Sequence, residues 1–198
     1  MNDPVQLTRE TYDRIASSYD EQTRLGSPEL AAHRSAFTGR VTGMIADLGC
    51  GPGRDLELLG GIGVDLSDGM LALARTRGTV VRGDLRNPPL RPGSLGGVWS
   101  NASLLHVPRA EVPATLAAWR ALLRPGGVLG LSTSLGEDEG WEAVPYAAPK
   151  AHPGELSRWF VHHQQDALLG LIVSAGFTVD RVAVRQTHRN WLMVLATA

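Results

Sequence analysis

The chain is short of cysteine, lysine and net charge, and the shortages bound what it can be. Its single cysteine, Cys50, leaves no internal disulfide and fits a reducing compartment. A net charge of −1 lacks the basic excess expected of a nucleic-acid-binding domain. No apolar run approaches the length of a membrane span, and Met1-Asn2-Asp3-Pro4 lacks the basic and apolar pattern of a signal peptide. These absences predict a cytoplasmic protein that engages neither nucleic acid nor membrane. Lys150 stands alone against 18 arginines, a skew that points to GC-rich coding rather than to function. What is present is enough to fold: 198 residues and 43% apolar content predict one domain with a real core.

The most informative stretch is Asp47-Leu48-Gly49-Cys50-Gly51-Pro52-Gly53, directly after the apolar run Met44-Ile45-Ala46. A short strand runs into alternating glycines, and a helix is predicted to follow at 54–59. A glycine-rich turn between a strand and a helix is how nucleotide-binding α/β folds seat a nucleoside cofactor. Asp65 then closes a second apolar run and Asp84 a third, so three acids stand at three strand ends. The dinucleotide fingerprint is Gly-x-Gly-x-x-Gly, whereas this chain has Gly-x-Gly-x-Gly with an acid two residues ahead. A carboxylate there repels a pyrophosphate and suits a cation. S-adenosylmethionine supplies one in its ammonium and sulfonium groups. Asp65, about 20 residues on, fits a ribose diol, and Asp84 can accept from the exocyclic amine of adenine.

With these motifs the chain resembles the class I S-adenosylmethionine-dependent methyltransferases, in their small single-domain form. Asp47 to Gly53 matches the family's first motif and Gly63-Val64-Asp65-Leu66-Ser67 its second. Asp68 to Arg75, with Met70, looks like the helix that follows. Gly83-Asp84-Leu85 matches the adenine-binding turn, Leu122 to Leu129 the Leu-x-Pro-Gly-Gly entry to the fifth strand, and Ala175-Gly176-Phe177 the lead into the sixth. The resemblance implies S-adenosylmethionine as cofactor, with Gly49, Cys50, Gly51, Leu66, Met70 and Leu85 shaping its cleft. It implies backbone contacts at Ser100 and Asn101 with the methionine ammonium. Cys50, set between cofactor-loop glycines, reads as a small packed residue rather than a nucleophile.

Alternation of strand and helix predicts a Rossmann-like, seven-stranded, mostly parallel sheet with helices on both faces and an antiparallel last strand. Strands are predicted near 43–48, 61–65, 79–83, 95–100, 125–132, 177–184 and 191–197. Helices are predicted near 54–59, 68–76, 109–122 and 164–174, with one or two before residue 40. Residues 1–40 form an N-terminal helical lid and 41–198 the methyltransferase domain. Tyr12, Ile15, Ala16 and Tyr19 share one helical face. The stretch Tyr12 to Tyr19-Asp20 also looks like the "Tyr-Asp-x-x-Ala-x-x-Tyr-Asp" segment with which small methyltransferases close over their cofactor. Residues 133–163, irregular and carrying Trp141, Tyr146, Trp159 and Phe160, are a candidate substrate lid.

Other features weigh less. Asn87-Pro88-Pro89-Leu90 echoes the Asn-Pro-Pro-aromatic motif of nucleobase amino methylation. It follows the wrong strand and lacks the aromatic residue, so it reads as a proline-stiffened loop. His152, His162 and His163 do not form a metal set, because adjacent histidines point apart. Arg189 and Trp191 stand where they could border the pocket, with core packing the default for Trp191. His106 follows the fourth strand where the family's methyl group points. A histidine can serve there as general base or can simply shape the pocket. The leading expectation is methylation of a small organic acceptor by a monomer or homodimer, with biosynthetic O-methylation first. N- or C-methylation, a non-catalytic cofactor-binding protein of the same fold, and a nicotinamide dehydrogenase are the alternatives.

Overall fold

A computed structural model describes residues 3–23, 26–145 and 156–198. Its centre is a seven-stranded sheet built from β1 (Ile45–Leu48), β2 (Ile62–Asp65), β3 (Thr79–Arg82), β4 (Leu95–Asn101), β5 (Leu123–Ser134), β8 (Thr178–Gln186) and β9 (Asn190–Thr197). The strand order is β3-β2-β1-β4-β5-β9-β8. The first five strands run parallel, and β9 is antiparallel to both neighbours. This is the fold class predicted above. β1 is buried at every position and β4 nearly so, as expected of parallel strands covered on both faces. At the edge, β8 is mostly exposed.

Helices α1 (Pro4–Gln22), α2 (Pro28–Thr38), α3 (Arg54–Leu59), α4 (Asp68–Ala74), α5 (Val112–Leu122) and α6 (Gln165–Ser174) surround the sheet. Local chemistry starts them. Asp3 caps α1 by accepting from the Val5 amide, and Pro4 occupies the first turn, where a missing N–H costs nothing. Ser27 caps α2 in the same way through the Leu30 amide. One core packs α5 and α6 on the sheet through Leu116, Trp119 and Ile172 against Leu129 and Val194. A second packs α2 on the other side through Phe37 against Trp99, ring centroids 5.1 Å apart.

α1 lines the cleft, and α2 adds Leu30 and Arg34 to the cavity wall while it buries Phe37 and His33 in the core. One expectation changes here. The segment 133–163 is more regular than its sequence suggests. β5 runs on to Ser134, and β6 (Glu139–Ala143) pairs with β7 (Ser157–Val161) as an antiparallel hairpin. Trp141 and Trp159 face each other across it, centroids 5.4 Å apart. Cross-strand aromatic pairs of this kind stabilise a two-stranded ribbon, and proline-rich surroundings hid the pattern. Tyr146, Lys150 and His152 lie outside the described residues.

Candidate functional site

The chain runs outward from β1 to β3 and then returns to β4 and β5, so the switch point lies between β1 and β4. Ligands of such sheets bind beyond the carboxyl ends of the strands at that point. A cavity of about 800 Å³ lies there. Of the thirteen residues expected in the site, twelve line it: Tyr19, Asp47, Gly49, Cys50, Gly51, Asp65, Leu66, Met70, Asp84, Leu85, Asn101 and His106. Ser100 does not. Its side chain is fully buried behind the wall, its hydroxyl 2.6 Å from that of Ser103, which donates to the Leu48 carbonyl.

The glycine turn has a steric reason. Gly49 has φ +75°, and a Cβ there would sit 2.3 Å from the Ser103 Cβ. Any side chain would force the loop after β4 off the loop after β1. At Gly51 an added Cβ would meet nothing within 4 Å, so that backbone is open to the cavity. The Gly51 amide donates to Asp65 Oδ2 at 2.8 Å, and the Ser67 amide to Asp65 Oδ1 at 2.9 Å. Asp65 thus ties two strand-end loops together. A carboxylate has about four acceptor positions, so two remain for a ligand diol. Burial raises its pKa, while these amides pull it back down.

Asp47 stands apart. It is 2% exposed, and its Oδ2 has no hydrogen-bond partner. Burial, and then the charges of Asp55 and Asp65, hold its pKa well above the usual carboxylate range. Beside it, Asp55 accepts from Arg34 (2.5 Å), Asn101 Nδ2 (2.9 Å) and Trp99 Nε1 (3.0 Å). Arg34 and Asp55 also line the cavity. Sequence reading missed both, because nothing in a short helical pattern marks a residue whose partners come from α2 and β4. Cys50 is buried, and its thiol is pushed far up by that burial, which makes it the inert packing residue expected.

Asp84 lines the cavity with its carboxylate already held. Arg86 reaches both of its oxygens, at 2.6–3.1 Å, and also pairs with Asp3 (2.6 Å) and Glu111 (2.9 Å). One arginine therefore joins the start of α1, the turn after β3 and the entry to α5. The Leu85 carbonyl accepts from Trp119 Nε1 at 2.7 Å, which fixes the same turn from below.

His106 sits on a short 3₁₀ turn, 104–106, after β4. Its Nδ1 donates to the Trp159 carbonyl at 2.6 Å, so its Nε2 must accept, and Tyr12 Oη donates to it at 2.8 Å. Arg158 Nη1 donates in turn to Tyr12 Oη at 3.1 Å. Burial, then the nearby Arg158 charge, brings the His106 pKa down to about 3. The ring is neutral across the physiological range and both nitrogens are engaged. The Nε2 lone pair is taken up by the Tyr12 hydroxyl, and His106 lines the cavity beside it. The hairpin β6–β7 reaches the site through the Trp159 carbonyl and Arg158, through the Trp159 amide donating to Thr8 Oγ1 at 2.9 Å, and through the Phe160 ring, 5.4 Å from that of His106. None of the described residues of 133–163 lines the cavity, and β7 packs against α1 through the Ser157 carbonyl and the Trp159 amide.

α1 closes the roof. Asp13 Oδ1 accepts from Ser67 Oγ at 2.7 Å and from the Gly69 amide at 3.0 Å, capping α4 from outside its own chain segment. Thr11 Oγ1 donates to the Ser157 carbonyl of β7 at 2.7 Å. Ala102 (φ +56°) also borders the cavity and is the only non-glycine residue with positive φ among those described. Such a conformation costs about 1–2 kcal/mol, and strain of this kind gathers at functional sites. At the far end Trp191 lines the cavity, whereas Arg189 pairs with Glu142 and lies over Phe160. Among the described residues no group of three or more His, Cys, Asp or Glu could hold a metal ion, and no helix is long and apolar enough to cross a membrane.

The fold and the acid-lined cleft define a doubly wound α/β domain of the nucleoside-cofactor-binding class. Comparison with known proteins narrows this. Residues 45–127 match the family described as "Methyltransferase domain". A trans-aconitate 2-methyltransferase from Variovorax paradoxus is 35% identical over 152 residues, 68% of this chain and 55% of the relative. The chain spans about half the length of the curated relatives it matches. Among solved structures, a Burkholderia thailandensis 1,6-didemethyltoxoflavin-N1-methyltransferase superposes with TM-score 0.71 at 19% identity, covering 100% of this chain and 91% of that one. An S-adenosylmethionine-dependent methyltransferase from Mesorhizobium loti gives 0.66 at 22% identity, over 87% and 99%. At these identities the structural likeness is one of fold. Over residues 45–127 the chain matches a methyltransferase domain, and its fold is that of the class I S-adenosylmethionine-dependent methyltransferases.

Proposed function

We propose that this protein transfers a methyl group from S-adenosylmethionine to a small organic acceptor. The observation that carries the reading is Asp47, a buried carboxylate oxygen without a partner, at the switch point, beside open glycine backbone. Desolvating such a group is costly unless a cation or donor arrives. The ammonium of S-adenosylmethionine is such a donor, and a phosphate is not. In this reading Asp65 holds the ribose hydroxyls with its remaining lone pairs, and Asp84 with Leu85 faces adenine. Gly49, Cys50, Gly51, Leu66, Met70 and Asn101 shape the cleft, and Tyr19 closes it. The bound cofactor supplies an activated methyl on a good leaving group. The protein's contribution is proximity and alignment.

Oxygen remains the first choice of acceptor atom. His106, neutral and fully engaged, orients Tyr12 rather than removing a proton. That supports a nucleophile already ionised in water, such as a carboxylate or an acidic enol. It equally supports an amine lone pair, which makes N-methylation the second reading. Calorimetry with S-adenosylhomocysteine, followed by methyl transfer from labelled cofactor to a panel of acids and amines, tests the assignment. No binding of the product cofactor would defeat it.

A further inference from the structure

We propose that Arg185 anchors a carboxylate on the methyl acceptor. The inference rests on the methyltransferase reading of the cleft. The strand order separates the cavity into two halves. Asp47, Asp65 and Asp84 end β1, β2 and β3 on one side, while the β8–β9 turn closes the other, where Arg185 and Trp191 pair across the strands. Both line the cavity. A cationic cofactor lying over the three acids leaves this second half for the acceptor.

Arg185 is the exception among the described arginines of the cleft. Arg34 has Asp55 at 2.5 Å, Arg9 has Asp13 at 2.9 Å, and Arg54 reaches Asp20 at 3.9 Å. Arg185 has no carboxylate within ion-pairing distance among the described residues. Its one hydrogen bond runs from Nη1 to Ser27 Oγ at 3.0 Å, and its Nε is buried with no partner. Its guanidinium lies over the Trp191 ring, 5.3 Å from the centroid, which holds it in place. Burial lowers its pKa and only the charge of Glu29 offsets this, as befits a cation short of a counter-charge.

A fixed, under-compensated guanidinium recognises a planar oxyanion. One positive charge balances a carboxylate, whereas a phosphate dianion needs a second cation, and Arg34 is already spent on Asp55. Pairing with arginine lowers the nucleophilicity of that carboxylate, so it serves recognition and the methylated atom is a different one.

The test uses the full chain loaded with S-adenosylhomocysteine. Probes are benzoate, phenylacetate and indole-3-acetate, each beside its uncharged amide, together with phenyl phosphate. At least one carboxylate should bind, and its amide should bind about tenfold to a hundredfold more weakly. Arg185→Met should remove that preference, and Arg185→Lys should keep part of it. Affinity for S-adenosylhomocysteine should change by less than about threefold. The proposal fails if no carboxylate binds, if phenyl phosphate outbinds every carboxylate, or if Arg185→Met leaves the preference intact. It also fails if Arg185→Met weakens S-adenosylhomocysteine as strongly, which would assign the arginine to the cofactor's own carboxylate. Failure of the wild-type chain to bind S-adenosylhomocysteine would instead strike the methyltransferase reading itself.

Discussion

Replacing Asp47 by asparagine separates folding from binding at a single atom. The Asp47 carboxylate is buried with one oxygen unpartnered, and its pKa is held well above normal by burial and then by Asp55 and Asp65. The folded state therefore holds this proton to a higher pH than the unfolded chain does. Between the unfolded value, about 3.9, and the raised folded value, the native state binds more protons, so stability falls as pH rises. Near pH 7 Asp47 destabilises the cofactor-free protein. Asparagine keeps the shape and removes the charge. Relieving an unsatisfied buried group contributes about 1–2 kcal/mol here, which in a domain of this size is a rise of roughly 2–8 °C in Tm. The same change removes the counter-charge for the cofactor's ammonium. Losing a hydrogen bond to a charged group costs about 1.5–3 kcal/mol, so S-adenosylhomocysteine should bind roughly ten to a hundredfold more weakly. Scanning calorimetry of the cofactor-free protein between pH 5 and 8, with titration calorimetry at pH 7.5, reads both. Asp47→Asn should gain Tm, lose part of the downward slope of stability with pH, and lose affinity. A variant that is less stable at pH 7.5, yet binds S-adenosylhomocysteine as wild type does, would refute the argument.

Three further outcomes are expected. His106→Gln should leave cofactor affinity unchanged and slow single-turnover methyl transfer by less than about tenfold, because a neutral, engaged imidazole supplies little of the 10²–10⁴-fold that a base gives; a drop of a thousandfold would restore the base. Asp84→Ala should abolish discrimination between S-adenosylhomocysteine and its inosine analogue, which lacks the amine, and retained discrimination would move adenine recognition to other groups. Amides of α1 around Tyr12 to Tyr19 should exchange faster than those of β1 and β4 without cofactor and slow on binding; equal exchange in both states would make α1 a fixed wall.

Much was legible in the chain itself. Strand periods, the glycine turn and the acids at 47, 65 and 84 depend on local geometry, because a turn that must admit a ligand needs glycine and a buried strand needs apolar side chains. Those signals foretold seven strands and a cleft that gathers twelve of the thirteen expected residues. The sequence also contained Ser100 and Asn101 as equals, but only strand direction sends the Asn101 side chain to the cavity and the Ser100 side chain behind its wall. The Trp141–Trp159 hairpin was hidden because its pairing spans residues far apart in the chain. The same holds for Arg86 gathering Asp3, Asp84 and Glu111, and for Asp55 gathering Arg34, Trp99 and Asn101. Protonation is the clearest case. A histidine after the fourth strand reads as a base from its ordinary pKa. Only the fold surrounds His106 with Tyr12, Arg158 and a carbonyl, and only the fold leaves Asp47 and Arg185 without counter-charges. Local pattern specifies backbone and so was readable in order along the chain. Charge state depends on burial and on partners brought from distant strands, and the tertiary structure alone sets both.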